Sequence, residues 1–280
     1  MSYKIIVVLY FSMCSYNTFA QTGQNVLNAE IGITAGTAYY FGDLNTRAQF
    51  NRPKPVFGVS FRKAFGEYLG AKISAHYAQL GYSDTYSKNA FQVARNLSFN
   101  TNLFELSAAA DFHFFKFNPL EGYRFTPYLT LGVGIFSYDP YAFLQGRKVL
   151  LRPLNTEGQG TNIYPDRKPY NTMAICIPFG MGVKYNLSNR INFIFEVTHR
   201  FTTTDYLDDV SKTYAGVTAF PPGPSGALTD AYLLQDRSYE KGTLIGVKDK
   251  QRGWSKQKDQ YLFAQMGITF NIMKYNCPTY

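Results

Sequence analysis

The sequence predicts an all-β chain that closes into an eight-stranded antiparallel transmembrane up-and-down β-barrel. Three observations carry this. Of 280 residues only 17% are charged, while 17% are aromatic, with 23 Tyr and 24 Phe against 1 Trp; a soluble domain usually carries about 25% charge. Eight stretches alternate in polarity with a period of two, the period of a strand. The connections between them alternate long and short without exception, as the two rims of a membrane barrel do.

Residues 1–20 are expected to be a secretory signal. Lys4 supplies the positive charge, Ile5 to Met13 form a short apolar run, and Thr18-Phe19-Ala20 offers a small-residue cleavage site before Gln21. The run is too short for a spanning helix, which needs about 20 residues. Cleavage before a lipidated Cys14 is the alternative, but Ser12-Met13 is a poor approach to it. Cutting after Ala20 removes Lys4 and Cys14, so the net charge falls from +9 to +8 and Cys176 and Cys277 remain. Two cysteines make no disulfide framework. The charge is scattered without a Lys/Arg run, so no nucleic-acid partner is expected.

The remaining 21–280 form the barrel domain. Strands are expected near 28–41, 55–65, 68–82, 98–116, 123–138, 172–186, 190–204 and 259–272, with no convincing amphipathic helix between them. Long loops fall at about 42–54, 83–97, 139–171 and 205–258. Short turns fall at Gly66-Glu67, Asn118 to Gly122 and Leu187-Ser188-Asn189. Outer-membrane barrels keep long loops outside and short turns in the periplasm, which puts both termini in the periplasm. Closure with an even strand count is required, because lipid cannot satisfy an open sheet edge.

The two faces agree. The last stretch sets Leu262, Ala264, Met266, Ile268, Phe270 and Ile272 on one side and Gln265, Gly267, Thr269 and Asn271 on the other. Inward charges are expected at Glu30, Arg62, Lys72, Glu105, Asp111, Lys184, Glu196 and Arg200, four acids and four bases. Side chains just fill an eight-strand lumen, and buried charges need partners. The balance therefore implies an ion-paired plug in place of a channel. Tyr39, Tyr40 and Phe41, then Phe114, Phe115 and Phe117, then Phe136, Tyr138 and Tyr141 cluster near strand ends, as interfacial girdles do.

Other signals have plainer readings. Gly132-Val133-Gly134 and Gly180-Met181-Gly182 lie within strands, without the helix a phosphate cradle needs, and read as small residues in a crowded lumen. His76 and His113 lie near Ser74, Glu105 and Asp111, but no Gly-flanked Ser nucleophile is present, so lumen packing is expected over hydrolase chemistry. Asp205, Asp208 and Asp209 lack the ligand spacing of a Ca²⁺ loop and read as a solvated loop or rim network. No metal, cofactor or catalytic residue is expected. The 205–258 loop carries Pro221-Pro222-Gly223-Pro224-Ser225-Gly226 and then Lys241, Lys248, Lys250, Arg252, Lys256 and Lys258. Those cations read as solvated or as contacts to outer-membrane lipid and lipopolysaccharide.

Several segments carry a resemblance. They are Tyr39-Tyr40-Phe41-Gly42-Asp43-Leu44-Asn45; Arg95-Asn96-Leu97-Ser98-Phe99 with Phe104-Glu105-Leu106; Phe125-Thr126-Pro127-Tyr128-Leu129; Thr156-Glu157-Gly158-Gln159-Gly160; Pro178-Phe179-Gly180-Met181-Gly182-Val183-Lys184-Tyr185; and Asp205-Tyr206-Leu207-Asp208-Asp209-Val210-Ser211. In order and combination they resemble the PorG family of Bacteroidota outer-membrane barrels, the DUF6089 group, over residues 28–275. The resemblance implies an OmpA-like fold and a role in type IX secretion and gliding, with a periplasmic ring of PorK- and PorN-type proteins as partner. It implies no catalytic residue. The 205–258 loop is longer than the resemblance implies. The short turns and the tail, with Lys274, Tyr275 and Tyr280 beyond the last strand, are the expected ring contacts. A general surface barrel that steadies the membrane or binds ligands is the alternative function, and a lipid-modifying barrel enzyme the third.

Overall fold

The computed structural model describes residues 25–275 apart from 189 and 243. The expected signal segment and Tyr280 lie outside the described residues. In chain order the strands are β1 (Asn25–Phe41), β2 (Lys54–Phe65), β3 (Leu69–Ser83), β4 (Ser98–His113), β5 (Phe125–Tyr138), β6 (Tyr141–Leu144), β7 (Arg147–Leu150), β8 (Met173–Ser188), β9 (Ile191–Thr202) and β10 (Gln260–Tyr275). Eight pair antiparallel in the order β3-β2-β1-β10-β9-β8-β5-β4, and the β3–β4 pairing closes the ring. Their bounds lie within three residues of those expected from the alternation. The β1–β10 ladder runs from Phe41 opposite Gln260 to Asn25 opposite Tyr275.

That ladder corrects one expectation. Lys274 and Tyr275 do not lie beyond the last strand; they end β10, opposite Val26 and Asn25. Barrel closure continues to their level because β1 starts earlier than its polarity pattern suggests.

Outward side chains form an apolar belt around the wall. Ile73, Val133 and Met181 are 62%, 62% and 64% exposed, flanked by Ile33, Phe57, Ile177, Phe195 and Ile268. Isolated apolar residues are normal on a soluble surface, but a continuous band of this extent is a lipid-facing surface. The inward positions that alternate with them are mostly small, polar or charged.

Two short helices, α1 (Ala90–Arg95) and α2 (Asp230–Gln235), sit in the second and fourth long loops. Six residues are too few to display a helical period, and their sequence signals are the caps. Asn89 accepts from the Phe91 amide, and Thr229 from the Tyr232 amide. The third loop holds the β6–β7 hairpin, which touches β4 through Tyr141 and Asn100. Its turn residues Gln145 and Gly146 both have positive φ, 51° and 79°. That conformation matches the twist of a two-residue hairpin.

The girdle reading holds in part. Phe114 and Phe115 are exposed at the short-turn rim, but Tyr40, Phe41, Phe136 and Tyr138 are buried. Tyr40, Phe136 and Tyr138 share the inward parity of Ala38 and Cys176. With Tyr82, Phe99, Tyr261 and Phe263 they form an apolar layer in the upper lumen, beneath the long loops.

Candidate functional site

The lumen is crossed by direct ion pairs in two groups. In the lower group Arg62 Nε lies 2.6 Å from Asp111 and Lys72 Nζ 2.5 Å from Glu196, while Lys184 Nζ lies 2.8 Å from Glu30. Arg62 also reaches Glu30 at 3.6 Å and Glu196 at 3.9 Å. Hydroxyls complete the group: Tyr128 donates to Glu196 at 2.8 Å and Thr269 to Glu30 at 3.1 Å. Higher up, Glu105 accepts from Arg200 Nε at 3.2 Å and from the Tyr261 hydroxyl at 2.7 Å. The Arg200 guanidinium carbon lies 3.9 Å over the Phe263 ring. All eight charges named from the sequence are inward and buried. Their partners were not legible, since pairing across a lumen depends on strand tilt and stagger.

Around the ring, β3 and β9 stand four strands apart, so Lys72 and Glu196 come from opposite walls. A contact of 2.5 Å between opposite walls bridges the lumen at that level. Glycine makes room for the bulkier members. A Cβ on Gly182 would lie 2.5 Å from the Tyr128 ring, so Tyr128 can reach Glu196 only because residue 182 has no side chain.

His76 Nδ1 lies 3.5 Å from Glu105, which also accepts from the Ser107 hydroxyl at 3.2 Å. The Ser74 hydroxyl bonds Ser107 at 3.0 Å, His76 packs against Phe263, and His113 against Phe117 and Tyr128. His199 faces outward, stacked on Phe41 and bonded to Gln260 at 2.7 Å.

Above the aromatic layer the long loops fold into a cap, stitched by two buried arginines. Arg95 grips Asp84 through Nε and Nη2, both at 2.7 Å, and donates to the backbone carbonyls of Asp43 and Arg252. Arg252 lies 3.2 Å from Glu157 and donates to the Asp209 carbonyl at 2.5 Å. Glu157 also accepts from the Ser211 amide at 2.9 Å and the Lys212 amide at 3.0 Å. Thr156 and Tyr170 donate to Asp209, and Tyr40 to both Asp208 and Asp259. Two loop expectations are corrected here. The Asp205–Asp209 cluster is a buried rim network, not a solvated one, and Arg252 is an internal tie, unavailable to lipid. Among the described residues no group of His, Cys, Asp and Glu has metal-holding geometry.

The cap collects more carboxylates than cations pair with, and burial sets their protonation; among the described residues Asp209 alone of those below pairs with a guanidinium, 3.7 Å from Arg252. Burial raises Asp208 and Asp259 well above the usual carboxylate range, reinforced by neighbouring negative charges. Burial likewise lifts Asp205 to about 7, and Asp43 and Asp209 to about 6. Sequence reasoning did not assign these residues to one site. The available signal was the set of segments behind the resemblance. Asp43, Asn45, Arg95, Asn96, Thr156, Glu157, Asp205, Asp208, Asp209 and Ser211 all lie in those segments, and all but the half-buried Asp43 are buried in the cap.

At the opposite rim, Lys116 ties two short turns together, 2.7 Å from Glu67 and 2.8 Å from Glu121.

A closed ring, a lipid-facing belt and a lumen spanned by ion pairs define an outer-membrane-type β-barrel. The chain belongs to the family described as domain of unknown function DUF6089, whose model matches residues 4–218. No curated protein matches the sequence. Among solved structures it is similar to Neisserial surface protein A, at 9% identity and TM-score 0.42 over 87% of this chain and 97% of that one. It is also similar to the attachment invasion locus protein Ail of Yersinia pestis, at 10% identity and TM-score 0.38 over 88% and 100%. A major outer membrane protein of Thermus thermophilus matches at 12% identity and TM-score 0.40 over 87% and 99%.

Proposed function

We propose that this chain is the PorG-type barrel of a type IX secretion and gliding machinery, and that it anchors or links a periplasmic ring of PorK- and PorN-type proteins to the outer membrane. The observation that carries the proposal is the sealed lumen. With the Lys72–Glu196 pair joining opposite walls and Arg62–Asp111 packed beside it, the barrel in this reading is a plugged one, and its two rims and its lipid face remain to act. Family membership supports the reading, since all of the segments quoted above fall within the matched residues. Long loops at one rim and short turns at the other, the arrangement of outer-membrane barrels, support periplasmic termini, on the side a ring can reach.

In this reading the cap is the external seal, and the short-turn rim, braced by Lys116, is the mechanical face. No catalytic group is assigned. A folded cap also suits the alternative, a surface barrel that uses its outer rim for ligand or adhesion contacts.

Two measurements test the reading. Tagged full-length barrel should co-purify the ring proteins from membranes; recovery of barrel at normal level without them contradicts the ring role. On intact cells, a membrane-impermeant thiol reagent should label Lys256→Cys and spare Asn189→Cys. The reverse pattern would sink the topology.

A further inference from the structure

Between the first long loop and the upper ends of β3 and β4 the outer wall carries a polar groove of about 510 Å³. Its origin is in the sequence. The β2–β3 ladder stops at Val56 opposite Ala78, whereas β3 continues to Ser83, paired only with β4. Pro53 and Pro55 stand where that ladder stops, and neither has the N–H that a ladder needs. The chain at 51–54 therefore splays from β3. The gap is floored by Gly81, which has no side chain, and by Ser83, Ser98 and Asn100.

The chemistry of the groove is one-sided. Arg52 and Lys54 line it, and no acidic residue does. Among the described residues neither cation makes an ion pair. The Arg52 guanidinium carbon lies 3.8 Å from the Tyr86 ring centroid, which holds its plane against one wall. Asn51 is fixed in turn, accepting from the Tyr82 hydroxyl at 3.1 Å. Arg237, which donates to Ser98 at 2.9 Å, is neutralised by Glu240.

The height of the groove decides its occupant. Tyr77 and Phe104 are the last large apolar residues facing out on β3 and β4. Gly81 to Ser83 lie four to six residues above them. At about 3.3 Å per residue and a strand tilt of roughly 40°, this is about 10–15 Å beyond the belt. Phospholipid headgroups occupy only about 5–8 Å on each side of the hydrocarbon. An anion site at this height faces the sugars of a glycolipid.

We propose that this groove binds a phosphorylated saccharide headgroup of the outer-leaflet lipopolysaccharide. The Arg52 fork takes two phosphate oxygens, Lys54 adds a point charge, and Ser83, Ser98 and Asn100 serve sugar hydroxyls. The outer-leaflet assignment rests on the outward placement of the long loops proposed above. The chemistry of the groove does not.

The test uses full-length barrel folded in detergent and native mass spectrometry with rough lipopolysaccharide, the same material after phosphatase treatment, and phosphatidylglycerol. Wild type should bind the phosphorylated glycolipid about tenfold or more tightly than either of the others. Arg52→Ala, at an exposed position, should lose about tenfold, and adding Lys54→Ala should weaken binding further. Lys148→Ala removes an equivalent lysine–tyrosine stack outside the groove and should change nothing. Folding of each variant is checked by heat-modifiable gel mobility. Equal binding by wild type and Arg52→Ala, equal binding of phosphatidylglycerol, or an equal loss in Lys148→Ala overturns the proposal. Because these affinities are read in detergent, they do not depend on which rim faces outward, whereas the surface-labelling pattern does. The two ideas therefore fail separately.

Discussion

The Lys72 ammonium on β3 lies 2.5 Å from the Glu196 carboxylate on β9, and those strands face each other across the lumen. Glu196 also accepts from Tyr128 and lies 3.9 Å from Arg62, so one carboxylate holds groups from three other strands. Removing it leaves two buried cations short of a partner. Glu196→Ala is expected to cost about 3–5 kcal/mol, read as a lower urea midpoint for unfolding in detergent. The paired change Lys72→Met with Glu196→Leu should recover most of the loss, because that pair then strands no charge. A Glu196→Ala barrel of wild-type stability contradicts the network.

Gly182 tests the packing that permits this network. A side chain there meets the Tyr128 ring, and overpacking of a filled interior typically costs about 1–3 kcal/mol. Gly182→Leu should destabilise the barrel by at least that much and break the Tyr128–Glu196 bond. Gly66→Ala, at a turn with open space around it but φ of 86°, should cost about 1–2 kcal/mol through backbone strain alone. If Gly182→Leu is the milder of the two, the crowding argument is wrong.

The cap should loosen as pH rises. Burial holds Asp43, Asp205, Asp208, Asp209 and Asp259 above the ordinary carboxylate range, which lies near about 3.9. The folded cap therefore keeps protons that an opened cap releases near about pH 4, up to about pH 6 to 7 at Asp43, Asp205 and Asp209 and beyond that at Asp208 and Asp259. A state that binds more protons gains as pH falls, so cap stability is greatest below about pH 4 and declines through that window. Amide exchange across residues 205–215, corrected for its intrinsic pH dependence, should be slower at about pH 5 than at about pH 8. Protection that is equal or greater at the higher pH contradicts the assignment.

Strand positions were legible because a membrane wall enforces period-two alternation, and each misplaced strand end is off by three residues or fewer. Inward charges such as Lys184 and Asp111 were legible for the same reason. Their partners were not, since Lys184 meets Glu30 across the lumen only once stagger is fixed. Tyr40 and Tyr138 misled because aromatics near strand ends serve girdles and plugs alike, and only parity with Ala38 and Cys176 separates the two. The cap was hidden because Arg95, Glu157 and Arg252 come from three different loops. The β6–β7 hairpin had a readable turn in Gln145-Gly146, outweighed by the length of the loop around it.

The short-turn rim should carry the partner contact. Lys116 bridges Glu67 and Glu121 there, and Lys274 and Tyr275 end β10 on the same side. Chimeras replacing 66–67, 118–122 and 187–189 together, at normal membrane level, should lose ring co-purification. Deletion of 276–280 alone separates the tail from the turns. Retained capture by both variants means that the ring binds elsewhere.

The sealed lumen is the central claim, and single-barrel conductance in planar bilayers tests it most directly. The purified barrel should insert without a stable open level, and the double variant Lys72→Ala with Glu196→Ala should leak more than wild type. A large, steady conductance from the wild-type barrel would contradict the plug and, with it, the structural role proposed for the chain.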